Sequence, residues 1–250
     1  LRRMIMHVEY HKWYSPNLNQ DMELKVYGHY GKPVLAFPCA GGKFYEFEDL
    51  KMLELVAPFI NDGKVKVFTV DSVDNQSWLN QNSHPGDRAH RHNDYDRYLT
   101  HEVVPFIHDK VSGPRGITTT GCSMGGYHAV NYLLRHPDLI DSTIALSGVY
   151  SMKNFLGDYI DNNVYFNSPI DFLPSLQDEW FLNALRQSRI MIGCGQGAWE
   201  EECLRDSCRL KEIMDSKGIP SWVDVWGHDV NHDWPWWYKM MPHFLGHLVG

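Results

Sequence analysis

The stretch that decides the fold is Gly116-Ile117-Thr118-Thr119-Thr120-Gly121-Cys122-Ser123-Met124-Gly125-Gly126-Tyr127-His128-Ala129. The β-branched residues near its start are typical of a buried strand. The run from Tyr127 to Arg135 contains good helix formers and an apolar stripe, which predicts a helix. Between the strand and the helix stands Gly121-x-Ser123-x-Gly125, so the chain turns sharply at a serine.

A strand, a tight turn and a helix in this order are the setting of a nucleophile elbow. A serine on so sharp a turn adopts strained backbone angles, and the glycines beside it let the strand and the helix pass close together. A chance match in a glycine-rich turn is the alternative interpretation. The preceding strand and the second glycine, Gly126, favour a true elbow with Ser123 as the nucleophile.

Outward from the elbow, predicted strands alternate with predicted helices along nearly the whole chain. Most of the strands are short apolar runs, as in a sheet that is covered on both faces. We predict strands at 22–30, 34–37, 65–70, 117–120, 142–148, 190–193 and 222–226. Helices are predicted from 47 up to Asn61-Asp62-Gly63, at 95–109, 127–135 and 201–217, and after Trp234, with a long polar loop over 71–91.

This alternation predicts an α/β fold with a mostly parallel central sheet and helices on both faces. A nucleophile elbow within such a sheet is the arrangement of an α/β-hydrolase fold, which we therefore expect. The length of 250 residues fits a single domain over 1–250. The segment 149–187 is too short for a large cap domain, so we expect an open or lightly covered cleft. In such sheets ligands bind beyond the carboxyl ends of the strands.

The composition excludes several classes of function. The chain has 23 lysines and arginines against 31 aspartates and glutamates, a formal charge of −8, and we expect neither a nucleic-acid nor a membrane partner. An odd number of cysteines, five, argues against a disulfide framework, and no cysteine–histidine spacing indicates a metal site. Without a secretory signal or a transmembrane-length segment, we expect a cytoplasmic protein. We also expect that the protein needs no cofactor.

A serine hydroxyl becomes an effective nucleophile when a histidine takes its proton and a carboxylate holds that histidine in one tautomer. In α/β-hydrolases the acid and then the histidine follow the serine along the chain. His232 lies in Asn231-His232-Asp233-Trp234, after the last predicted strand and before the closing helix, where the base is expected. His228 in the same loop is the alternative, whereas His243 and His247 fall within the helix.

The acid should follow the strand 190–193, which runs into Cys194-Gly195-Gln196-Gly197-Ala198-Trp199-Glu200. Glu200 is the first carboxylate after this turn, and we assign it as the triad acid. Asp206 and Asp229 are the alternatives. A glutamate at this position would also suit the positive N-terminal end of the following helix, without any catalytic role.

The tetrahedral intermediate of ester hydrolysis needs N–H donors for its oxyanion. The first predicted donor is the amide of Met124, directly after the nucleophile at the start of its helix. The second should come from the glycine loop after the strand 34–37, where we choose Gly42, with Gly41 or Lys43 as alternatives. We expect Gly41 and Lys43 to contact the substrate as well.

Two tryptophans are further candidates for substrate contact. Trp78 lies in the polar loop 71–91, and Trp234 opens the tryptophan-rich start of the closing helix. Trp234 would line an acyl or sugar pocket, or else pack the helix onto the sheet. The histidines of the polar loop match no metal-binding spacing, while Arg88 and Arg91 could meet an acidic group of a substrate.

The elbow Gly121-Cys122-Ser123-Met124-Gly125-Gly126-Tyr127 and the segment Asn231-His232-Asp233-Trp234 resemble the putative-esterase family of α/β-hydrolases, over most of the chain. That family includes S-formylglutathione hydrolases, feruloyl esterases, enterochelin esterases and the antigen 85 mycolyltransferases. The resemblance implies ester hydrolysis through an acyl-serine, with Ser123 as nucleophile, His232 as base, and Met124 and one residue of 41–43 as oxyanion donors. The acid departs from the pattern, because members commonly carry an aspartate in a Gly-x-x-Asp turn where this chain has Glu200.

We therefore expect a serine esterase that cleaves a small-molecule or saccharide-linked carboxylic ester with the residues Ser123, His232 and Glu200. Two alternatives use the same fold. One is a binding module without catalysis, which the substituted acid turn suggests, and the other is an acyltransferase that uses the same residues. The sequence leaves the oligomeric state open, a homo-oligomer included.

Overall fold

Eight strands form one sheet in the computed structural model, which describes residues 6–250. They are β1 (Val8–Ser15), β2 (Gln20–Tyr27), β3 (Lys32–Phe37), β4 (Val65–Val70), β5 (Ile117–Cys122), β6 (Ile140–Leu146), β7 (Arg189–Cys194) and β8 (Ser221–Val225). Their order is β1-β2-β4-β3-β5-β6-β7-β8. β1 and β2 are antiparallel to their neighbours, and β3 to β8 run parallel.

Helices cover both faces of this sheet. They are α1 (Glu46–Asp49), α2 (Met52–Asn61), α3 (Pro85–Tyr98), α4 (Val104–Lys110), α5 (Met124–Arg135), α6 (Lys153–Leu156), α7 (Asn162–Tyr165), α8 (Pro169–Phe172), α9 (Glu179–Gln187), α10 (Glu201–Ser216) and α11 (Trp234–Val249). The core on one face includes α3, α4, α5, α9 and α10, and the core on the other includes α1, α2 and α11. This architecture confirms the predicted α/β-hydrolase fold.

The strand register brings the loops of interest to one edge of the sheet. Phe37 at the end of β3 pairs with Gly121 of β5, and Cys122 pairs with Leu146 of β6. Leu146 in turn pairs with Gly193 near the end of β7. Because the carboxyl ends of parallel strands share an edge, the loops that follow β3, β5, β6, β7 and β8 converge.

The edge strand β1 is absent from the sequence-based prediction. Its apolar residues Val8, Tyr10 and Tyr14 point to solvent, while Trp13 packs on the core. The usual alternation, apolar inward and polar outward, is therefore weak along this strand.

The polar loop predicted over 71–91 contains regular structure and is a correction. It holds a 3₁₀ turn, Asp74–Gln76, and the start of α3, where the side chain of His84 accepts the N–H of Gly86 at 3.1 Å. The inner side of α3 includes Arg88, His92 and Asp96. A helix that buries polar side chains carries little apolar periodicity, so the pattern did not reveal it.

The segment 149–187 forms α6 to α9 with a 3₁₀ turn, Leu173–Ser175, and part of it packs on the main core. Within residues 6–250 it builds no separate cap domain. No helix in the described part of the chain combines the length and the apolar character that a membrane crossing requires.

Candidate active site

Ser123 stands at the sharp turn between β5 and α5. Its backbone angles are φ 57° and ψ −123°, a region that non-glycine residues rarely occupy. Glycines make this turn feasible, since a Cβ on Gly121 would lie 2.4 Å from the carbonyl carbon of Gly125, and a Cβ on Gly125 would lie 2.5 Å from the Phe37 carbonyl oxygen. The Ser123 N–H donates to the Leu146 carbonyl at 2.8 Å, which ties the turn to β6.

His232 meets the serine from the loop between β8 and α11. Its Nε2 lies 2.9 Å from Ser123 Oγ, a hydrogen-bond distance. The loop is held in place because the His232 N–H donates to the Ala198 carbonyl at 3.0 Å, and the ring packs edge-on against Trp237. The alternative, His228, is exposed to solvent.

Glu200 lies on the other side of the histidine and is completely buried. Its Oε2 is 3.8 Å from His232 Nδ1, longer than a hydrogen bond. Its Oε1 accepts from the hydroxyl of Ser147 at 2.5 Å, and that hydroxyl accepts from the indole N–H of Trp237 at 3.0 Å. A chain of donors thus fixes one carboxylate oxygen and leaves the other directed towards the histidine.

The two alternative acids lie elsewhere. Asp206 is buried, and its Oδ2 accepts the backbone N–H groups of Tyr150 at 2.8 Å and Ser151 at 3.1 Å. It therefore holds the chain that follows β6. Asp229 is exposed to solvent. Of the three candidate acids, the structure brings only Glu200 beside His232 within the described residues.

Cys203, in the first turn of α10, is a further neighbour of His232 that no spacing in the sequence predicts. Its Sγ lies 3.6 Å from His232 Nδ1 and donates to the Ser147 carbonyl at 3.1 Å. Burial raises the pKa of this thiol well above its usual value. The ligating atoms of Glu200, Cys203 and His232 all lie within 4.8 Å of one another, so these three residues could hold a metal ion.

The loop 38–43 after β3 does not offer its glycine amides to the serine. The Gly42 N–H donates to the Cys39 carbonyl at 2.9 Å and closes a tight turn. The Gly41 N–H donates to Asp74 Oδ2 at 3.3 Å. Both amides are engaged, which corrects the choice of Gly42 as an oxyanion donor and also its alternative, Gly41.

Two other residues with available backbone amides line the cleft beside Ser123. They are Ala40 and Met124. Met124 is the first residue of α5, so its N–H has no partner within the helix. The N–H of Ala40 has no hydrogen-bond acceptor among residues 6–250. The pattern pointed to Met124 but not to Ala40.

The cleft has a volume of about 450 Å³ and opens to solvent at the carboxyl edge of the sheet. Trp199 lines it in a left-handed conformation with φ 67°, and this residue is 82% exposed. The lining includes two carboxylates and no lysine or arginine; its residues are Ala40, Ser123, Met124, Ser147, Val149, Phe155, Trp199, Glu201, Glu202, Cys203 and His232.

The other predicted substrate contacts lie outside this lining. Trp78 is fully buried and packs against His92, because the segment around it folds back under α5. Trp234 is half-buried and packs edge-on against Trp237, which agrees with the alternative that it packs the closing helix onto the sheet. Lys43 is exposed, and its Nζ lies 3.5 Å from a carboxylate oxygen of Asp71.

The two arginines considered as substrate contacts hold the protein together instead. Arg88 is buried and donates to the carbonyls of Ser77 at 3.3 Å and Phe155 at 3.2 Å. Arg91 donates to the Leu18 carbonyl at 2.9 Å. Neither guanidinium lines the cleft.

A buried polar cluster lies between α5 and the loop 38–43. His128 Nε2 is 2.8 Å from Asp74 Oδ1, and the second oxygen of Asp74 accepts the Gly41 N–H. The ring of His92 stacks on that of His128 with centroids 5.5 Å apart. Burial lowers the pKa of His92 well below its usual value, and the charges of His128 and Arg135 act in the same direction. No pattern in the sequence marked Asp74 or His128.

Known proteins share this architecture. A ferulic acid esterase superposes with a TM-score of 0.77 at 19% identity, covering 98% of each chain. The fluorophosphonate-binding serine hydrolase FphF of Staphylococcus aureus gives 0.72 at 17% identity, covering 98% of this chain and 99% of that chain. The S-formylglutathione hydrolase FrmB of Staphylococcus aureus gives 0.70 at 17% identity, covering 98% and 100%. At such identities the likeness concerns the fold.

Sequence comparison identifies the family. No curated protein matches the chain. The family model described as Putative esterase matches residues 15–248, which is most of the sequence. The resemblance expected from the elbow and the histidine segment is therefore confirmed, and the chain belongs to the putative-esterase family of α/β-hydrolases, as a serine esterase.

Proposed function

We propose that this esterase works through an acyl-enzyme formed on Ser123, with His232 as general base and Glu200 as the acid of the triad. The observation that carries the proposal is the 2.9 Å contact between His232 Nε2 and the Oγ of a serine held on a strained turn. Nucleophile and base within hydrogen-bonding distance, with a carboxylate behind the base, are the signature of an activated serine.

The reaction follows from these positions. As Ser123 Oγ attacks the ester carbonyl carbon, His232 Nε2 takes the hydroxyl proton and the carbonyl oxygen becomes an oxyanion. The amides of Met124 and Ala40 stabilise that oxyanion by hydrogen bonds. When the intermediate collapses, His232 returns its proton to the leaving alcohol, and the acyl group stays on Ser123. Water then repeats the sequence and releases the carboxylic acid.

Glu200 is proposed to orient His232 and to stabilise the imidazolium that forms during each step. Its burial supports this role, because a carboxylate in a water-excluded site acts strongly on a charge that develops beside it. The 3.8 Å separation between Oε2 and Nδ1 must shorten by roughly 1 Å for a hydrogen bond, and contacts of this kind often tighten when the substrate binds.

We propose that the substrate is a neutral ester of small or moderate size, free or linked to a saccharide. Its volume of about 450 Å³ lies in the range of small-molecule sites. Its acidic lining residues are Glu201 and Glu202, and an anionic substrate would be repelled by them. One protein with the same fold is named as a ferulic acid esterase, an enzyme for an ester of a small carboxylic acid.

Labelling with a fluorophosphonate probe tests the proposal, because an activated serine reacts with such a probe and an ordinary serine does not. Ser123→Ala should abolish both the labelling and the hydrolysis of short p-nitrophenyl esters, while circular dichroism shows that the fold is retained. An unlabelled wild-type protein would indicate a binding module without catalysis. Turnover by Ser123→Ala at the wild-type rate would refute the role of Ser123.

A further inference from the structure

The triad itself contains a candidate metal site. We propose that Glu200, Cys203 and His232 bind one thiophilic divalent cation, of the class of Zn²⁺ or Cd²⁺, and that this cation switches the esterase off. The inhibition rests on the catalytic roles proposed above, whereas the binding of the cation does not.

The distances suit a single ion. Cys203 Sγ is 3.6 Å from His232 Nδ1, and Glu200 Oε2 is 3.8 Å from the same nitrogen. Around a tetrahedral zinc ion with bonds of about 2.3 Å to sulfur and about 2.0 Å to nitrogen and oxygen, the ligand atoms lie roughly 3.3–3.6 Å apart. The Cys203–His232 and Glu200–His232 separations therefore require shifts of only a few tenths of an ångström, and Cys203 Sγ lies within 4.8 Å of a carboxylate oxygen of Glu200.

Glu200 supplies a second observation that points to a ligand. Its Oε2 is buried and has no hydrogen-bond partner among the described residues, although Oε1 is well bound by Ser147. A buried carboxylate oxygen without a donor is unfavourable, and a cation in front of it would satisfy it. The oxygen lies near the thiol and the imidazole nitrogen, within the same 4.8 Å cluster.

The local fold presents two of the ligands together. Glu200 immediately precedes α10 and Cys203 lies in its first turn, so these residues are three apart and share one side of the helix start. His232 faces them from the loop before α11. Three protein ligands leave a fourth tetrahedral position for water, which is the arrangement of an open zinc site.

A cation can reach the site from the cleft, since Cys203 and His232 both line it. Glu201 and Glu202 line the same cleft and are exposed, so their charges attract a cation to the entrance. Sulfur and imidazole ligands select zinc, cadmium and similar ions over magnesium and calcium, which prefer oxygen ligands.

Binding would block catalysis through the histidine tautomer. The cation takes the lone pair of Nδ1 and displaces the proton of the Cys203 thiol, which is released to solvent, so that a metal–thiolate bond replaces the S–H bond. With Nδ1 bound to metal, the neutral ring carries its proton on Nε2. Nε2 then has no lone pair with which to accept the proton of Ser123, and the ester is not attacked.

To test the site, the whole chain is first treated with a chelator to remove any bound metal, and single metal ions are then added. One equivalent of Zn²⁺ or Cd²⁺ per chain should inhibit ester hydrolysis, an added chelator should restore it, and Mg²⁺ and Ca²⁺ should have no effect. Cadmium should also produce the ultraviolet absorption of a cadmium–thiolate bond. Each protein is compared with its own rate and spectrum in the absence of metal.

Variants assign the ligands. Cys203→Ser should weaken cadmium binding at least about tenfold and remove the thiolate absorption. Cys208→Ser is the matched control, because Cys208 is an exposed thiol on the same helix, and it should change neither readout. If Cys203→Ser does not fold, Glu200→Gln provides the comparison, with weaker cadmium binding and the thiolate absorption retained at saturation.

Binding and function can be separated. Ser123→Ala removes no ligand and should bind cadmium as the wild type does, even though it hydrolyses no ester. A wild-type protein that binds cadmium through Cys203 and hydrolyses no ester would refute the proposed function while supporting the site. Equal cadmium binding by wild type and Cys203→Ser, or no binding at all, would overturn the proposed site.

Discussion

Replacing Ser147 by alanine removes the hydroxyl that joins the buried carboxylate of Glu200 to the indole of Trp237. The hydroxyl donates to Glu200 Oε1 at 2.5 Å and accepts from Trp237 Nε1 at 3.0 Å. Ser147 has φ 51°, and alanine carries the same Cβ, so the backbone strain at this position is similar in both proteins. The substitution therefore reports on the two hydrogen bonds.

The loss of stability in Ser147→Ala follows from the burial of Glu200 and Trp237. A hydrogen bond to a charged group contributes about 1.5–3 kcal/mol, and a buried N–H left without an acceptor costs roughly 1–3 kcal/mol. Glu200 is completely buried and Trp237 is 3% exposed, so loss of the hydroxyl leaves buried polar atoms of both residues without their partner. We expect the free energy of unfolding to fall by about 2–4 kcal/mol. We also expect kcat to fall about 10- to 100-fold, because Glu200 would no longer hold its position behind His232.

Urea unfolding followed by circular dichroism measures the first quantity, and hydrolysis of a p-nitrophenyl ester at a temperature where the variant is folded measures the second. Trp237→Phe is the informative control, because it deletes the donor to Ser147 while leaving the bond from Ser147 to Glu200. It should reduce kcat less than Ser147→Ala does. A Ser147→Ala protein within about 0.5 kcal/mol of the wild type and with unchanged kcat would refute the reasoning.

Two further predictions concern charge. Burial holds the pKa of His92 well below its value of about 6.5 in an unfolded chain. Below pH 6.5 the unfolded state therefore binds more protons than the folded state, and the free energy of unfolding falls with pH by up to about 1.4 kcal/mol per unit. Urea unfolding between pH 7 and pH 5 should show this slope, and an equal slope in His92→Gln would contradict the prediction. Glu201 and Glu202 should disfavour anionic esters. When both residues are replaced by glutamine, the ratio of kcat/KM for an anionic ester to kcat/KM for a neutral ester of equal size should rise several-fold, and by less at high salt. An unchanged ratio would exclude an influence of these two charges.

The sequence was most informative where local geometry determines the structure. The turn at Ser123 requires glycines at fixed spacing, so the pattern predicted the elbow from a few residues. The inner strands β4 and β5 are buried along their length, and their apolar or β-branched runs revealed them. The fold class and the family resemblance follow from these features, and both are confirmed.

Predictions were wrong where a residue's environment depends on distant parts of the chain. The sequence predicts Gly42 as an oxyanion donor because glycine allows its N–H to face a substrate, yet that N–H closes a turn with Cys39. The sequence places Trp78 in a polar loop, yet the segment folds beneath α5 and buries the indole. Neither outcome is encoded in the spacing of neighbouring residues, because each depends on a contact formed only in the folded protein.

The carboxylate of Asp74 illustrates this dependence most directly. One oxygen contacts His128 on α5, the helix that begins directly after the nucleophile, and the other accepts an amide of the loop that contains Ala40. Asp74 is 1% exposed, and hydrogen bonds to a buried carboxylate are stronger than the same bonds in water. Asp74 therefore restrains both of its partners firmly. Asp74 contacts neither Ser123 nor the N–H of Ala40, yet it holds the two elements that carry them, so the oxyanion site that we propose can be formed before any substrate arrives.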